Sequence, residues 1–179
     1  MKYTNDIKED RGIYLVIDIS TPKFPYAEML IDKMDWIFVR GTKGLGRIYP
    51  RSANKYAYPY ATAKIKQKPI GIHKIIMGYE SEVDHINHNG LDNRSVNLRK
   101  CTRTQNAQNT RTPRNNTSGH KGVSWHKEDK RWRAQIGVGG KSVRLGEYRT
   151  IEEAIMVREQ AVEKHFGEFA CEFKHNDYK

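Results

Sequence analysis

Residues 82–109, EVDHINHNGLDNRSVNLRKCTRTQNAQN, set an acid beside a histidine, followed by a glycine turn, several asparagines and a polar stretch. These residue types suit cleavage of a phosphodiester. An attacking water must lose a proton, and a histidine of near-neutral pKa can take it. The leaving 3′ oxygen gains negative charge, which a hard divalent cation can stabilise. Such a cation takes oxygen ligands from carboxylates, amides and water. Asp84 and His85 put an oxygen ligand next to a base. In an extended strand these neighbours point to opposite sides, so local bending must bring both to one phosphate. A second oxygen ligand must come from a separate element. The polar helix expected to start near Thr102 or Thr104 offers Asn106. Taken singly, Asp84–His85 reads as a surface loop, and Asn93, Asn97 and Asn106 as turn and cap residues. Their joint spacing singles them out.

That spacing resembles the HNH family of nucleases, which build a ββα-metal site. His85 is followed twelve residues later by Asn97 and nine residues after that by Asn106. The match is to the subfamily of phage and intron homing endonucleases, whose last motif residue is Asn. The resemblance covers roughly residues 30–110 and includes the HKIIM helix upstream of DHINHNGLDNRSVNLR. It implies that His85 is the general base, that Asn97 holds the histidine in place, and that Asp84 and Asn106 are metal ligands. Asn in place of a final His favours Mg²⁺, with Mn²⁺ as the alternative, over Zn²⁺. His88 and Asn93 lie nearby and receive no catalytic role.

Other elements must position these residues. GIYLVIDIS suits a strand, being rich in β-branched and apolar residues. FPYAEMLIDKMDWIFVRG is expected to hold a helical turn or two and then a strand through Trp36–Val39. GTKGLG lacks the GK[ST] ending of a phosphate-cradling loop and reads as a plain turn. KYAYPYATAKIK alternates as a hairpin strand does. In IGIHKIIMGY, Ile72, Ile75, Ile76 and Tyr79 share a helical face that Gly78 helps to end. His73 sits within that face. A packed, hydrogen-bonded core histidine is the simpler reading, and a site role the sharper one.

RTPRNNTS, residues 111–118, contains no apolar residue and marks the best domain boundary. Beyond it, GVSWH, RWRAQIGV and SVRLGEY read as three strands, with Gly139–Gly140 as a hairpin turn. Thr150 and Glu153 form a capping box. The helix it opens carries Ile151, Ala154, Ile155, Ala161, Val162 and Phe166 on one side, and Gly167 stops it. Residues 116–173 resemble the APETALA/ethylene-response-factor DNA-binding domain of plants. The likeness lies in the KGV start, the W-x-A-x-I strand, the LG-x-[YF] strand end, the EEA helix start and the FGEFA close. It implies a three-stranded sheet laid in the major groove of DNA with the helix behind. The same domain accompanies HNH modules in phage and bacterial homing endonucleases.

Alternation sorts the side chains of this sheet. Trp132, Ala134, Ile136 and Val138 form the apolar face, leaving Arg131, Arg133 and Gln135 outward. Val143 and Leu145 point inward, leaving Ser142 and Arg144 outward. Val123 points inward, leaving Ser124 and His126 outward, and Lys121 and Lys130 flank the strands. Arg pairs with guanine and Gln with adenine, while Lys mainly meets phosphate. At Ser124, His126, Gly137 and Arg144 the sequence departs from the plant pattern, so the plant target does not transfer.

The expected fold is therefore α+β. A β-rich N-terminal region (1–66) precedes an HNH ββα-metal nuclease core (67–110). A basic linker (111–117) leads to an APETALA/ERF-like domain of three antiparallel strands on one helix (118–175). Charge supports nucleic acid as partner. Residues 86–149 hold 14 Lys/Arg against 4 Asp/Glu, nearly all of the +11 formal net charge. Such a stretch attracts polyphosphate and releases counterions on binding. Arg111 and Arg114 in the linker, with no acid nearby, are expected to track the backbone. The expected partner is double-stranded DNA, with no membrane and no small-molecule cofactor. The expected state is a monomer or weak dimer, and a single site in a monomer favours nicking.

No apolar run reaches 18 residues, and the start MKYTNDIKED lacks an apolar signal region, so a cytoplasmic, non-secreted protein is expected. In phage this is the host cytoplasm. The two cysteines, Cys101 and Cys171, lie outside any CxxC pattern and read as reduced structural thiols. The rivals are a catalytically inactive DNA-binding regulator on an HNH scaffold, a structure-selective nuclease, and a basic scaffold binding an acidic partner.

Overall fold

The structure, a computed structural model, describes residues 5–52, 58–109 and 116–170, with only the backbone at 168. The chain divides into two units, Met1–Thr102 and Arg103–Lys179. The sequence-based boundary at 110 falls inside the second unit. Cys171 lies outside the described residues.

The first unit opens with β1 (Ile7–Asp10), β2 (Tyr14–Asp18) and β3 (Glu28–Asp32), an antiparallel sheet in that order. α1 (Lys33–Gly41) follows directly. A second sheet orders β4 (Tyr49–Arg51), β5 (Tyr60–Ile65) and β6 (Lys68–Gly71). Then come α2 (Ile72–Met77) and the hairpin of β7 (Glu82–His85) with β8 (Leu98–Cys101). The expected strand through Trp36–Val39 is helix. Met29 and Ile31 are buried two apart, the strand period, whereas Trp36 and Val39 are buried three apart, the helical one. The strand thus comes first and the helix second. One core joins β2, β3, α1, β5 and α2 through Ile17, Met29, Ile31, Val39, Ala61, Ala63, Ile72 and Ile75. Tyr79, expected on the apolar face of α2, lies beyond the helix end and is exposed.

The second unit begins with α3 (Arg103–Gln108). β9 (Val123–His126), β10 (Arg131–Val138) and β11 (Lys141–Tyr148) form an antiparallel sheet with β10 central, and α4 (Ile151–Phe166) packs on it. Both bonds of the Thr150–Glu153 capping box are made. Ala154, Val162 and Phe166 are buried against Val123, Ala134 and Ile136 of the sheet, with Leu145 partly buried beside them.

Strict alternation fails at one point of β11. Ala134 pairs with Gly146 but Gln135 pairs with Arg144, so Leu145 is an extra residue, a β-bulge. Gly146, at φ 151°, carries the chain through it. The bulge keeps Leu145 and Tyr148 on the helix side while Arg144 and Glu147 share the outer face. Val143 is on the helix side by register, opposite Ile136, yet is 44% exposed. Its direction is the expected inward one, but near the hairpin tip no buried cluster includes it.

Candidate active site and nucleic-acid face

The two-stranded hairpin of β7 and β8 presents the motif. Across it Asp84 pairs with Arg99 and His85 with Leu98. Asp84 and Arg99 therefore share a face, and Asp84 Oδ2 accepts from Arg99 Nε (2.9 Å) and Nη2 (2.7 Å). Asp84 and His85 are both buried. The loop between the strands is a set of asparagine turns: Asn87 Oδ1 accepts from Asn89 N–H, and Asn89 Oδ1 from Leu91 N–H.

Asn97 closes this loop. Its Oδ1 accepts from Asn87 N–H (2.9 Å), its Nδ2 donates to Asp92 C=O (2.8 Å), and its own C=O accepts from Ile86 N–H. One side chain thus ties the residues just after His85 to the far end of the loop. Asp92, almost fully buried, is the second tie. Its carboxylate takes Arg94 Nε (2.8 Å) on Oδ1 and Arg94 Nη2 (2.7 Å) and Asn87 Nδ2 (2.9 Å) on Oδ2. Burial pushes this carboxyl up, but the Arg94 and Asn87 bonds outweigh it and hold its pKa below the usual range.

The N-terminal sheet anchors the loop from outside. Leu30 on β3 donates to Leu91 C=O and accepts from Asn93 N–H, and Asp32 accepts from Ser95 N–H. The Arg94 guanidinium lies 4.7 Å from the Tyr14 ring centre. From the second sheet, Ala61 N–H donates to Gly90 C=O. A Cβ at Gly90 would sit 2.5 Å from the Tyr60 ring and 2.7 Å from Pro59 O, so only glycine admits this approach.

Three rings meet at His85. The His73 ring centre is 5.0 Å away, near-perpendicular, and Tyr60 is 5.6 Å from His85 and 5.9 Å from His73. The reading of His73 as a hydrogen-bonded core residue is corrected in one respect. It is packed, but among the described residues its Nδ1 has no hydrogen-bond partner. Its place against His85 is a feature that helical periodicity could not show. Burial, with the neighbouring His85 and Lys74 charges, lowers its pKa to about 3. Burial lowers that of His85 too, opposed by the nearby Asn93, Asp84 and Asp92. Both rings are therefore neutral at pH 7, and a neutral imidazole can accept a proton. Asn93, which sequence reasoning left without a role, is fully buried beside His85.

Asn106 stands on α3, in the second unit, whereas Asp84, His85 and Asn97 are in the first. Among the described residues no group of three or more His, Cys, Asp or Glu is placed to hold a metal.

In the second unit the outer face of the sheet reads in rows. His126 pairs with Arg131, Ser124 with Arg133 and Arg133 with Glu147, Gln135 with Arg144, and Gly137 with Ser142. The side chains expected outward thus share one face, and Glu147, which spacing alone did not place there, joins them. His126 Nδ1 lies 2.8 Å from Asp129 Oδ2. Lys130, in the β9–β10 turn at φ 50°, is exposed. Lys121 Nζ donates to Ala107 C=O (3.5 Å) and Gln108 C=O (3.3 Å) at the end of α3. Arg111 and Arg114 lie outside the described residues. No helix among the described residues is long and apolar enough to cross a membrane.

A family model described as HNH endonuclease matches residues 79–108. Protein 3.8 of Escherichia phage T7 is 36% identical over 88 residues, which cover 49% of this chain and 72% of that protein. An uncharacterized HNH endonuclease of Acanthamoeba polyphaga mimivirus is 36% identical over 89 residues, 50% of this chain and 45% of that protein. No solved structure matches the chain significantly.

Proposed function

We propose that the chain, whose residues 79–108 match an HNH endonuclease family model, hydrolyses DNA phosphodiester bonds at a targeted site, nicking one strand in the manner of a homing endonuclease. The observation that carries this reading is His85 at the end of β7. It is buried and neutral, and it is followed by a loop that Asn97 and Asp92 tie down. A general base needs a fixed position within hydrogen-bond reach of the water it activates, and this frame supplies one.

His85 accepts the proton of the attacking water. Asn97 holds the chain leaving His85. The resemblance gives Asp84, and separately Asn106, the role of ligand to a divalent cation, which would supply stabilisation of the negative charge on the leaving 3′ oxygen. The donors, a carboxylate and an amide oxygen, fit Mg²⁺ or Mn²⁺ better than Zn²⁺. Magnesium sites commonly use one or two carboxylates completed by phosphate and water. Arg99 holds one of the two Asp84 oxygens and fixes the orientation of the carboxylate.

The second unit grips double-stranded DNA through the outer face of its sheet, as an APETALA/ERF-like domain does. Supporting this are its three strands on one helix and the common face of Ser124, His126, Arg131, Arg133, Gln135, Ser142 and Arg144.

One feature favours a second reading, a DNA-binding regulator on a silent scaffold. The Asp84–Arg99 pair already occupies part of the proposed metal ligand. Plasmid conversion separates the two. Supercoiled DNA becoming open-circle with Mg²⁺, but not with EDTA, and slowing by about 10²–10⁴-fold in His85→Ala, is the expected result. Tight binding without conversion in Mg²⁺ or Mn²⁺ would establish the regulator.

A further inference from the structure

On the outer face of the second-unit sheet, Glu147 stands among arginines, and Asp129 of the β9–β10 turn reaches to 3.9 Å from Arg133 Nη2. Glu147 Oε1 lies 3.0 Å from Arg133 Nε and 2.9 Å from Arg133 Nη2, and 3.6 Å from Arg144 Nη1. Arg133 and Glu147 are cross-strand partners, and Arg144 is brought to the same side by the bulge at Leu145. Both members of the closer pair are about four-fifths covered, at 22% and 23% side-chain exposure.

An acid here opposes any electrostatic hold on phosphate, so general DNA affinity does not account for it. Its geometry does something else. Glu147 engages the Nε–Nη2 edge of the Arg133 guanidinium and limits its rotation. The fork has five donors in one plane, so fixing one edge aims the other, whose paired N–H groups match O6 and N7 of guanine. Holding the fork in one orientation denies it the other geometries through which it could contact a wrong base pair, and so widens the difference between right and wrong.

We infer that Glu147 is a specificity-determining positioning residue, which braces Arg133, with Arg144 at its flank, to read a guanine in the major groove. The inference rests on the proposal that this sheet face binds DNA.

The test uses the full chain in EDTA, so that binding is read without cutting. A pool of random duplexes identifies the preferred site. Its G·C pairs are then replaced singly by A·T, and binding is compared with that of an all-A·T duplex. For the unaltered chain, replacing one G·C pair is expected to weaken binding about tenfold. Glu147→Gln should shrink that penalty to about threefold or less while binding the all-A·T duplex roughly threefold more tightly at low salt. Arg133→Lys keeps the charge but not the fork, and should show the same loss of discrimination. It serves if Glu147→Gln fails to fold.

Unchanged discrimination in Glu147→Gln and Arg133→Lys would overturn the inference and leave the DNA-binding face standing. No preferred sequence in the unaltered chain would overturn it as well. If Arg133→Ala with Arg144→Ala bound every duplex as the unaltered chain does, with the same salt slope, the sheet-face reading itself would fall.

Discussion

The His85 hairpin and the outer face of the C-terminal sheet are both crowded with polar side chains, yet they treat them in opposite ways. In the hairpin, Asp84, His85, Asp92, Asn93 and Asn97 are all buried, and Asn97 and Asp92 bond mainly to the loop itself. On the sheet, Ser124, Gln135, Ser142 and Arg144 are open to solvent, while the Arg133–Glu147 pair is mostly covered. Burying polar groups is unfavourable unless each finds a partner, so a buried network has essentially one low-energy arrangement. That rigidity suits proton transfer, where a misplacement of about an ångström is costly. A surface that must follow a duplex of variable shape gains from side chains that can still move.

The sharpest way to break this contrast is to cut the closing tie of the hairpin. Asn97→Ala removes the acceptor of Asn87 N–H and the donor to Asp92 C=O while both remain in a packed region. Each buried group left unpaired costs about 1–3 kcal/mol, so the first unit should lose roughly 2–4 kcal/mol. Urea unfolding gives the total, and hydrogen exchange at the Asn87 amide locates it. A loss under about 1 kcal/mol would mean that the loop is held from outside, by Leu30 and Asp32, and that Asn97 is dispensable to its shape.

Acid probes the same contrast with a smaller effect. His73 has a folded pKa of about 3, below the unfolded value of about 6.5. Between those limits the unfolded chain binds the extra proton. The stability linked to His73 is therefore fully present above about pH 6.5 and is lost as the pH falls toward 3. At pH 5 the loss is about 2 kcal/mol, and His85, lowered in the same direction, adds to it. His73→Phe keeps a ring against His85 and removes one titrating group. Comparing urea midpoints at pH 7 and pH 5, the variant should be less acid-sensitive than the unaltered chain by that amount. Equal sensitivity would show that the ring is open to water.

The motif and the strands of the second unit were legible because both are carried by local pattern. The His85, Asn97 and Asn106 spacing and the Thr150–Glu153 box lie within short windows, and period-two alternation located β9, β10 and β11. What escaped depends on contacts between distant segments. Trp36–Val39 is apolar enough for a strand, and only the core that takes Trp36 and Val39 together makes it helix. His73 meets His85 because α2 packs near β7, a juxtaposition no spacing encodes. Glu147 reaches the outer face because a bulge shifts the phase of β11 by one residue, and alternation assumes that no residue is inserted. The partition of Asn106 from His85 between two units is likewise tertiary.

The smallest effect tests whether the second unit owes its order to its helix rather than to its polar face. Thr150 Oγ1 accepts from Glu153 N–H at 3.3 Å, and the Glu153 carboxylate accepts from Thr150 N–H at 3.2 Å, both at an exposed helix start. Water can replace either partner there, so Thr150→Ala should cost only about 1 kcal/mol. The loss should appear as faster hydrogen exchange across the first turn of α4, whose Ala154 sits under β9 and β10. Outer-face residues such as Arg144→Ala should leave that exchange unchanged while weakening DNA binding and lowering its salt slope by about one. If Arg144→Ala instead loosened α4, the sheet face would be a structural element like the hairpin, and the contrast between a rigid site and an adaptable surface would fail.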